Sequence, residues 1–399
     1  MNDCELTLNA FSAYIKKEPV CGAENVTDEL FMSFLRRAAL HKVLPMAGSA
    51  LLGEENALNA PVKETLKKTI RQQVIGQTLR NAAFANVYKE LTAAGAKPVC
   101  VKGITCRSLY PEPYMRLSGD EDLLVSEEDF TICEKKLAEL GFEADKDGSD
   151  FEVGFINRQN GCRIELHKSL FAPDSAVFGC FNTFFEDVLS TAHTETADNA
   201  EIYVPDNDLH FLYLVLHAFK HFIHAGIGIR QLCDIALFAK YRTPSPAAVF
   251  EKCAQVNADT FLNAVLLAGE QYFGLDTAPF EAECPSFDRG LDIAPLIEDV
   301  MSGGVYGADS IERQHSATIT LNHVEAAKNG KKSSVLRSVF PKREKLKGRY
   351  TYLEEHPVLL PVAWGQRIIE YTKTKNDSPA IIETGEKRVE LLKKYRVIR

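Results

Sequence analysis

Several signatures of common enzyme classes are missing from this chain. It has no Walker-type Gly-x-x-x-x-Gly-Lys-Ser/Thr, no Rossmann Gly-x-Gly-x-x-Gly and no Gly-x-Ser-x-Gly nucleophile elbow. A P-loop, a dinucleotide fold and a serine-hydrolase turn are therefore not expected. The ten cysteines include no Cys-x-x-Cys pair, and several (Cys100, Cys133, Cys233) sit in apolar patterns. They read as buried free thiols of a reducing compartment. No apolar run approaches the roughly 20 residues that cross a bilayer. The first eleven residues carry Asp3 and Glu5 and lack a basic n-region, so no signal peptide is expected and the location reads as cytoplasmic. A basic surplus is also missing. The net charge of −9 argues against a protein that coats long nucleic acid, although it leaves room for a local basic groove. Neither repeats nor low-complexity tracts are present.

The 399 residues, 45% hydrophobic and 25% charged, suffice for two or three cored domains. Apolar spacing predicts a helix over 28–52, ended or kinked by Pro45, and a second over 61–94 that stops at Gly95. The lysines and arginines of the second helix read as a solvated face. From Lys97 the character changes. Val99–Val101 is β-like and is followed at once by Lys102-Gly103. A short helix over 104–110 and a strand over 120–125 come next. A helix capped by Ser126 follows, then two strands over 151–157 and 162–166 around Asn160-Gly161, a strong hairpin signal. From Asp206 onward the pattern is helical, with 278–286 reading as loop. A basic run spans Lys328 to Arg349, then comes a helical patch over 361–371. The expected fold is α+β. A small mixed sheet with its helices occupies 96–204, between N-terminal helices (1–95) and a mainly helical C-terminal region (205–399).

The stretch with the most chemistry in it is Arg116-Leu117-Ser118-Gly119-Asp120-Glu121-Asp122-Leu123-Leu124-Val125. Side chains alternate along a strand, so Asp120 and Asp122 project from one side and Glu121 from the other. Two carboxylates side by side repel unless a cation lies between them. In Arg163-Ile164-Glu165-Leu166-His167, Glu165 shares a face with Arg163 and His167. If that strand neighbours the first, Glu165 meets the aspartates. Three carboxylates on adjacent strands make a hard oxygen site suited to Mg²⁺ or Mn²⁺. Arg116 reads either as a phosphate clamp or as a structural partner of acids. His217, His221 and His224 share one helix face. The Glu of His-Glu-x-x-His is replaced there by Ala218, so they read as polar lining or as packed histidines rather than a zinc site.

Lys97–Val125, together with Glu165-Leu166-His167, resembles the core of the polymerase-β-like nucleotidyltransferase superfamily. It most resembles a family of uncharacterised bacterial nucleotidyltransferases with a strand ending in Lys-Gly, a Leu-Tyr-Pro segment, a Gly-Asp-x-Asp motif and a later Glu-Leu-His. Leu216–Phe238 and Leu359–Ile368 are similar to the same family. The resemblance implies a palm-like domain that moves a nucleoside monophosphate from an NTP to a hydroxyl and releases pyrophosphate. It further implies two Mg²⁺ (or Mn²⁺) ions held by Asp120, Asp122 and Glu165. Lys102, Gly103 and Arg116 would then lie against the nucleotide, with Lys102-Gly103 replacing the superfamily's usual Gly-Ser. The expected partners are an NTP and a small-molecule or protein hydroxyl acceptor. The competing readings are a nucleotide-binding or protein-interaction module without catalysis, and a phosphohydrolase using the same acids.

Overall fold

A computed structural model describes residues 1–55, 58–145, 148–307, 311–331, 343, 346, 350–373 and 378–398. Its centre is a seven-stranded mixed sheet with strand order β3-β4-β5-β2-β1-β7-β6. The strands are β1 (Val99–Cys100), β2 (Glu121–Leu124), β3 (Glu143–Ala144), β4 (Glu152–Asn157), β5 (Cys162–His167), β6 (His193–Ala197) and β7 (Ala200–Val204). Two pairings are parallel, β2 with β5 and β1 with β7; the others are antiparallel.

The helices before the sheet are α1 (Asp3–Lys16), α2 (Asp28–Leu40), α3 (Leu44–Leu52) and α4 (Ala60–Ala93). The predicted helix over 28–52 is two helices. The break falls at His41-Lys42-Val43, where Lys42 takes φ +56°, and Pro45 stands in the first turn of α3 rather than ending a helix. Proline suits that position because the first-turn N–H groups have no helical partner. Helix α4 starts as expected: the Asn59 side chain accepts from Val62 N and Pro61 sits in the first turn. At its far end the Tyr88 hydroxyl donates to the Pro98 carbonyl (2.6 Å) and accepts from Tyr203 N (2.8 Å), tying the helix to β1 and β7.

Helix α5 (Ile104–Arg107) and α6 (Glu127–Glu139) follow β1 and β2. Ser126 caps α6 through Asp129 N, as its sequence indicates. The Asn160-Gly161 turn joins β4 to β5, with Gly161 at φ +70°. A second hairpin, β6–β7, turns on Asp198 and Asn199, both at positive φ. That backbone belongs to two-residue turns matched to strand twist. After the short α7 (Val188–Thr191) the chain runs through α8 (Asn207–His224), α9 (Ile229–Arg242), α10 (Pro246–Gln255) and α11 (Asp259–Phe273). Residues 278–286 are not all loop: α12 spans Ala278–Glu283, with Pro279 in its first turn. Then come α13 (Ala294–Gly303), α14 (Ile311–Lys328), a helix over Leu360–Lys373 and a closing helix over Ser378–Lys394. Of the basic run, Lys328, Lys331 and Arg343 are described; Lys332, Arg337, Lys342, Lys345, Lys347 and Arg349 lie outside the described residues.

Alternation divides the sheet between two cores. Leu123, Val125, Ile164 and Leu166 face α4 and α6 with Phe84, Tyr88, Phe130 and Leu137. Val99, Val101 and Leu124 face the helical body, whose core joins residues from both ends of the chain, Leu6 and Phe11 with Phe211, Phe261 and Leu392. Each such side chain, fully buried, contributes roughly 1.5–3 kcal/mol. Asp122 shares the Leu124 face, so it points toward α8.

Candidate active site

Strands β2 and β5 run parallel with Asp122 opposite Glu165 and Leu124 opposite His167. Neighbouring strands lie about 4.8 Å apart, so the register alone holds the two carboxylates side by side. One step on, His167 Nε2 lies 3.5 Å from Asp122 Oδ1 and 3.8 Å from Glu165 Oε2. Its Nδ1 is 3.5 Å from Glu152 Oε2, across the β4–β5 ladder. Asp122, Glu165 and His167 each offer a ligand atom, all within 4.8 Å of one another. Asp120 stands one residue before β2, half-buried and outside that group. The strand begins at Glu121 rather than at Asp120.

Both ring nitrogens of His167 are buried without a hydrogen bond, and Asp122 Oδ2 has none beyond its ion pair with Lys102. Buried polar atoms are ordinarily satisfied, so an unsatisfied imidazole beside two carboxylates suits a divalent cation. Oxygen donors with one imidazole accept Mg²⁺, Mn²⁺ or a borderline transition ion. The residues fit a divalent metal.

Lys102 reaches the same carboxylate, with Nζ 3.1 Å from Asp122 Oδ1 and 3.0 Å from Oδ2. Burial alone would raise the Asp122 carboxyl, but Lys102 and then His167 outweigh it and hold it below the usual carboxylate range. The converse holds for Lys102: burial would lower it, and Asp122 keeps it well above an ordinary lysine. On Glu165 Lys102 and His167 act too weakly to prevail. Burial, then Asp122 and Asp120, push its carboxyl up to about 7.

Glu121 points the other way, as alternation requires. Its carboxylate accepts from Arg107 Nη1 (2.8 Å) and Ile104 N (2.7 Å). Gly103, at φ +70°, lies so close that a Cβ there would overlap Glu121 Oε2. Arg116 is fully buried, with Nε and Nη2 each 2.7 Å from the Asp234 carboxylate, which also accepts from the Tyr110 hydroxyl at 2.7 Å. Of its two sequence readings, the structure gives Arg116 a partner, Asp234 of α9.

On α8, the rings of His217 and His221 lie 4.6 Å apart, and His221 packs 4.2 Å from Tyr306. Burial first and then cations lower both histidines well below the usual range, Lys102 acting on His217, and Lys220 and Lys102 on His221. They face the acidic site as neutral rings, while His224 is exposed at the end of the helix. Three residues at the site had no role in the sequence reading. His167 was on the right face but stood only as part of a motif. Lys42 and Lys220 had no signal, because each is one lysine among many until the fold brings it in.

Residues 29–274 match the model of a family described as uncharacterised nucleotidyltransferases. No curated protein and no solved structure matches the chain.

Proposed function

The chain belongs to this family of uncharacterised nucleotidyltransferases, enzymes for which an NTP is the substrate, and on that premise we propose that it transfers a nucleoside monophosphate from an NTP to a hydroxyl acceptor and releases pyrophosphate on a polymerase-β-like, palm-like core. The observation that carries the reading is the in-register pair Asp122 and Glu165 with orphaned polar atoms beside it. Asp122, Glu165 and His167, with Asp120 at the rim, would hold one or two Mg²⁺ or Mn²⁺ ions, which supply charge neutralisation at the transferring phosphate. The chain's own part is positioning. Lys102, bound to Asp122, would offer a phosphate contact, and Gly103 a close backbone approach. Glu165, titrating near 7, is suited to take the acceptor's proton directly or through water. Buried His217 and Tyr213 and half-buried His221 and Tyr306 line the helical side, a setting suited to limit bulk water at the transfer.

The test is pyrophosphate release from each of the four NTPs with Mg²⁺ or Mn²⁺ and a panel of hydroxyl acceptors, beside Asp122→Asn and Glu165→Gln. Release that needs an acceptor and vanishes in both variants supports the transferase. NTP binding without turnover would make the chain a nucleotide-binding or protein-interaction module instead. Nucleotide breakdown without any acceptor would make it a hydrolase.

A further inference from the structure

Two cations grip the turn that leads into Asp120, and neither is in an ion pair among the described residues. Lys42 sits at the break between α2 and α3, held out by its left-handed backbone. Its Nζ lies 3.2 Å from the point where a Cβ on Gly119 would stand. Arg230, in the first turn of α9, is 4% exposed and donates from Nη1 to the Leu117 carbonyl. Its Nε has no hydrogen-bond partner among the described residues. Lys42 forms no ion pair among the described residues; Arg230, Lys102 and Arg116 act on it against Asp120, and of these Lys102 is paired with Asp122 and Arg116 with Asp234, on which Arg230 also acts. Like charges gathered in a partly buried site repel one another, and a polyanion relieves all of them at once.

The opposite flank is balanced differently. Lys220 faces Glu152, Asp122 and Glu165, with Lys102 as the neighbouring cation. On the Leu117–Asp120 side, with Lys102 paired to Asp122 and Arg116 to Asp234, Lys42 and Arg230 are the cations left beside Asp120. A guanidinium with a free N–H and a lysine on a fixed turn are the donors that phosphate oxygens take. Gly119 fits the same picture, since a side chain there would press on Lys42.

We propose that Lys42 and Arg230 form the subsite for the β- and γ-phosphates of the NTP, and hence for the pyrophosphate that leaves. This rests on the transferase reading above and adds to it the direction of the nucleotide. The triphosphate tail extends past Asp120 toward the α2–α3 turn, and the acceptor enters from the Lys220 and Glu152 side. The N-terminal helices thereby contribute a substrate contact, doing the work that a Gly-Ser turn does elsewhere in the superfamily.

Calorimetric titration of the full chain in Mn²⁺ decides it. The probes are the best-bound NTP, its monophosphate and inorganic pyrophosphate; the variants are Lys42→Met, Lys42→Arg and Arg230→Gln. Loss of one charge-assisted contact corresponds to about tenfold or more. Lys42→Met and Arg230→Gln should weaken NTP and pyrophosphate by that factor and leave the monophosphate within about twofold. Lys42→Arg should restore binding. Equal losses for monophosphate and triphosphate, or no loss for pyrophosphate, overturn the subsite. If the wild-type chain binds no NTP and releases no pyrophosphate, the transferase reading fails and the subsite with it. Wild-type turnover with an unaffected Lys42→Met overturns the subsite alone.

Discussion

Gly103 and Glu121 are in van der Waals register: the Glu121 carboxylate occupies the space a Cβ on residue 103 would need, with Cδ 2.7 Å from that point. The residue between the two aspartates is thus an anchor. It ties β2 to the start of α5 through Ile104 N and Arg107. Gly103→Ala should cost about 3 kcal/mol or more, from a strained φ and a displaced buried carboxylate. Urea unfolding measures this, and a loss typical of a surface substitution would show that the contact is not made.

Arg116 and Asp234 lie 118 positions apart and meet in a two-point ion pair with both groups buried. Asp234→Asn leaves the guanidinium charged and uncompensated, and should destabilise the fold by about 3–5 kcal/mol. Chemical denaturation of the variant beside Tyr110→Phe, which removes only the hydroxyl donor to the same carboxylate, separates the charge from the hydrogen bond. A smaller loss in Asp234→Asn than in Tyr110→Phe would contradict the pairing.

Glu165 carries a proton below about pH 7 when no metal is bound. An arriving divalent ion must displace it, so Mn²⁺ affinity should drop about tenfold per unit as pH falls below that point and level off above it. Calorimetry in buffers of different ionisation heat reads the released proton directly. The metal-free fold has its own pH dependence. Its raised carboxyl favours the protonated form, so stability is lost as pH rises from 4.5 to about 7. Glu165→Gln should flatten both profiles.

His210 gives a pH dependence away from the metal site. Its Nε2 lies 2.9 Å from the Val101 carbonyl, and burial lowers the ring from 6.5 to about 4. The unfolded chain takes a proton below 6.5 that the folded chain refuses, so stability falls as pH drops through that window, by about 3 kcal/mol at its end. His210→Gln should remove this part of the slope in urea titrations across the window. An unchanged slope would mean that the ring is already charged in the fold.

Helix α4, the Ser126 cap, the Asn160-Gly161 hairpin and the Asp206-capped α8 were legible because each depends on residues a few positions apart. So was the placement of Glu165 beside Asp122, since alternation and one strand pairing decide it. Helix α1 carries an Asn2-x-x-Glu5 capping box and β7 an alternation with Ala200, Ile202 and Val204 inward, both local signals of the same kind. The Lys102–Asp122 pair, the Arg116–Asp234 pair and the approach of Lys42 to Gly119 were not legible. Each joins segments 20 to 118 positions apart, and a single sequence carries no signal for such contacts. The exact start of β2 was equally beyond pattern, which is why Asp120 stands at the rim.

The helical core takes side chains from Leu6 and from Leu392 and Tyr395 alike, and the Tyr395 hydroxyl accepts from Leu296 N at 3.1 Å. On the ribosome the first of these residues is made long before the last. The sheet, whose strands all lie between residues 99 and 204, can assemble while the N-terminal helices, already packed on one another, still wait for α11 and α13. Synthesis therefore leaves the side of α1 that packs on α11 and α13 uncovered while the strands are forming. The helical body around the site closes late, when the final turn of helix emerges.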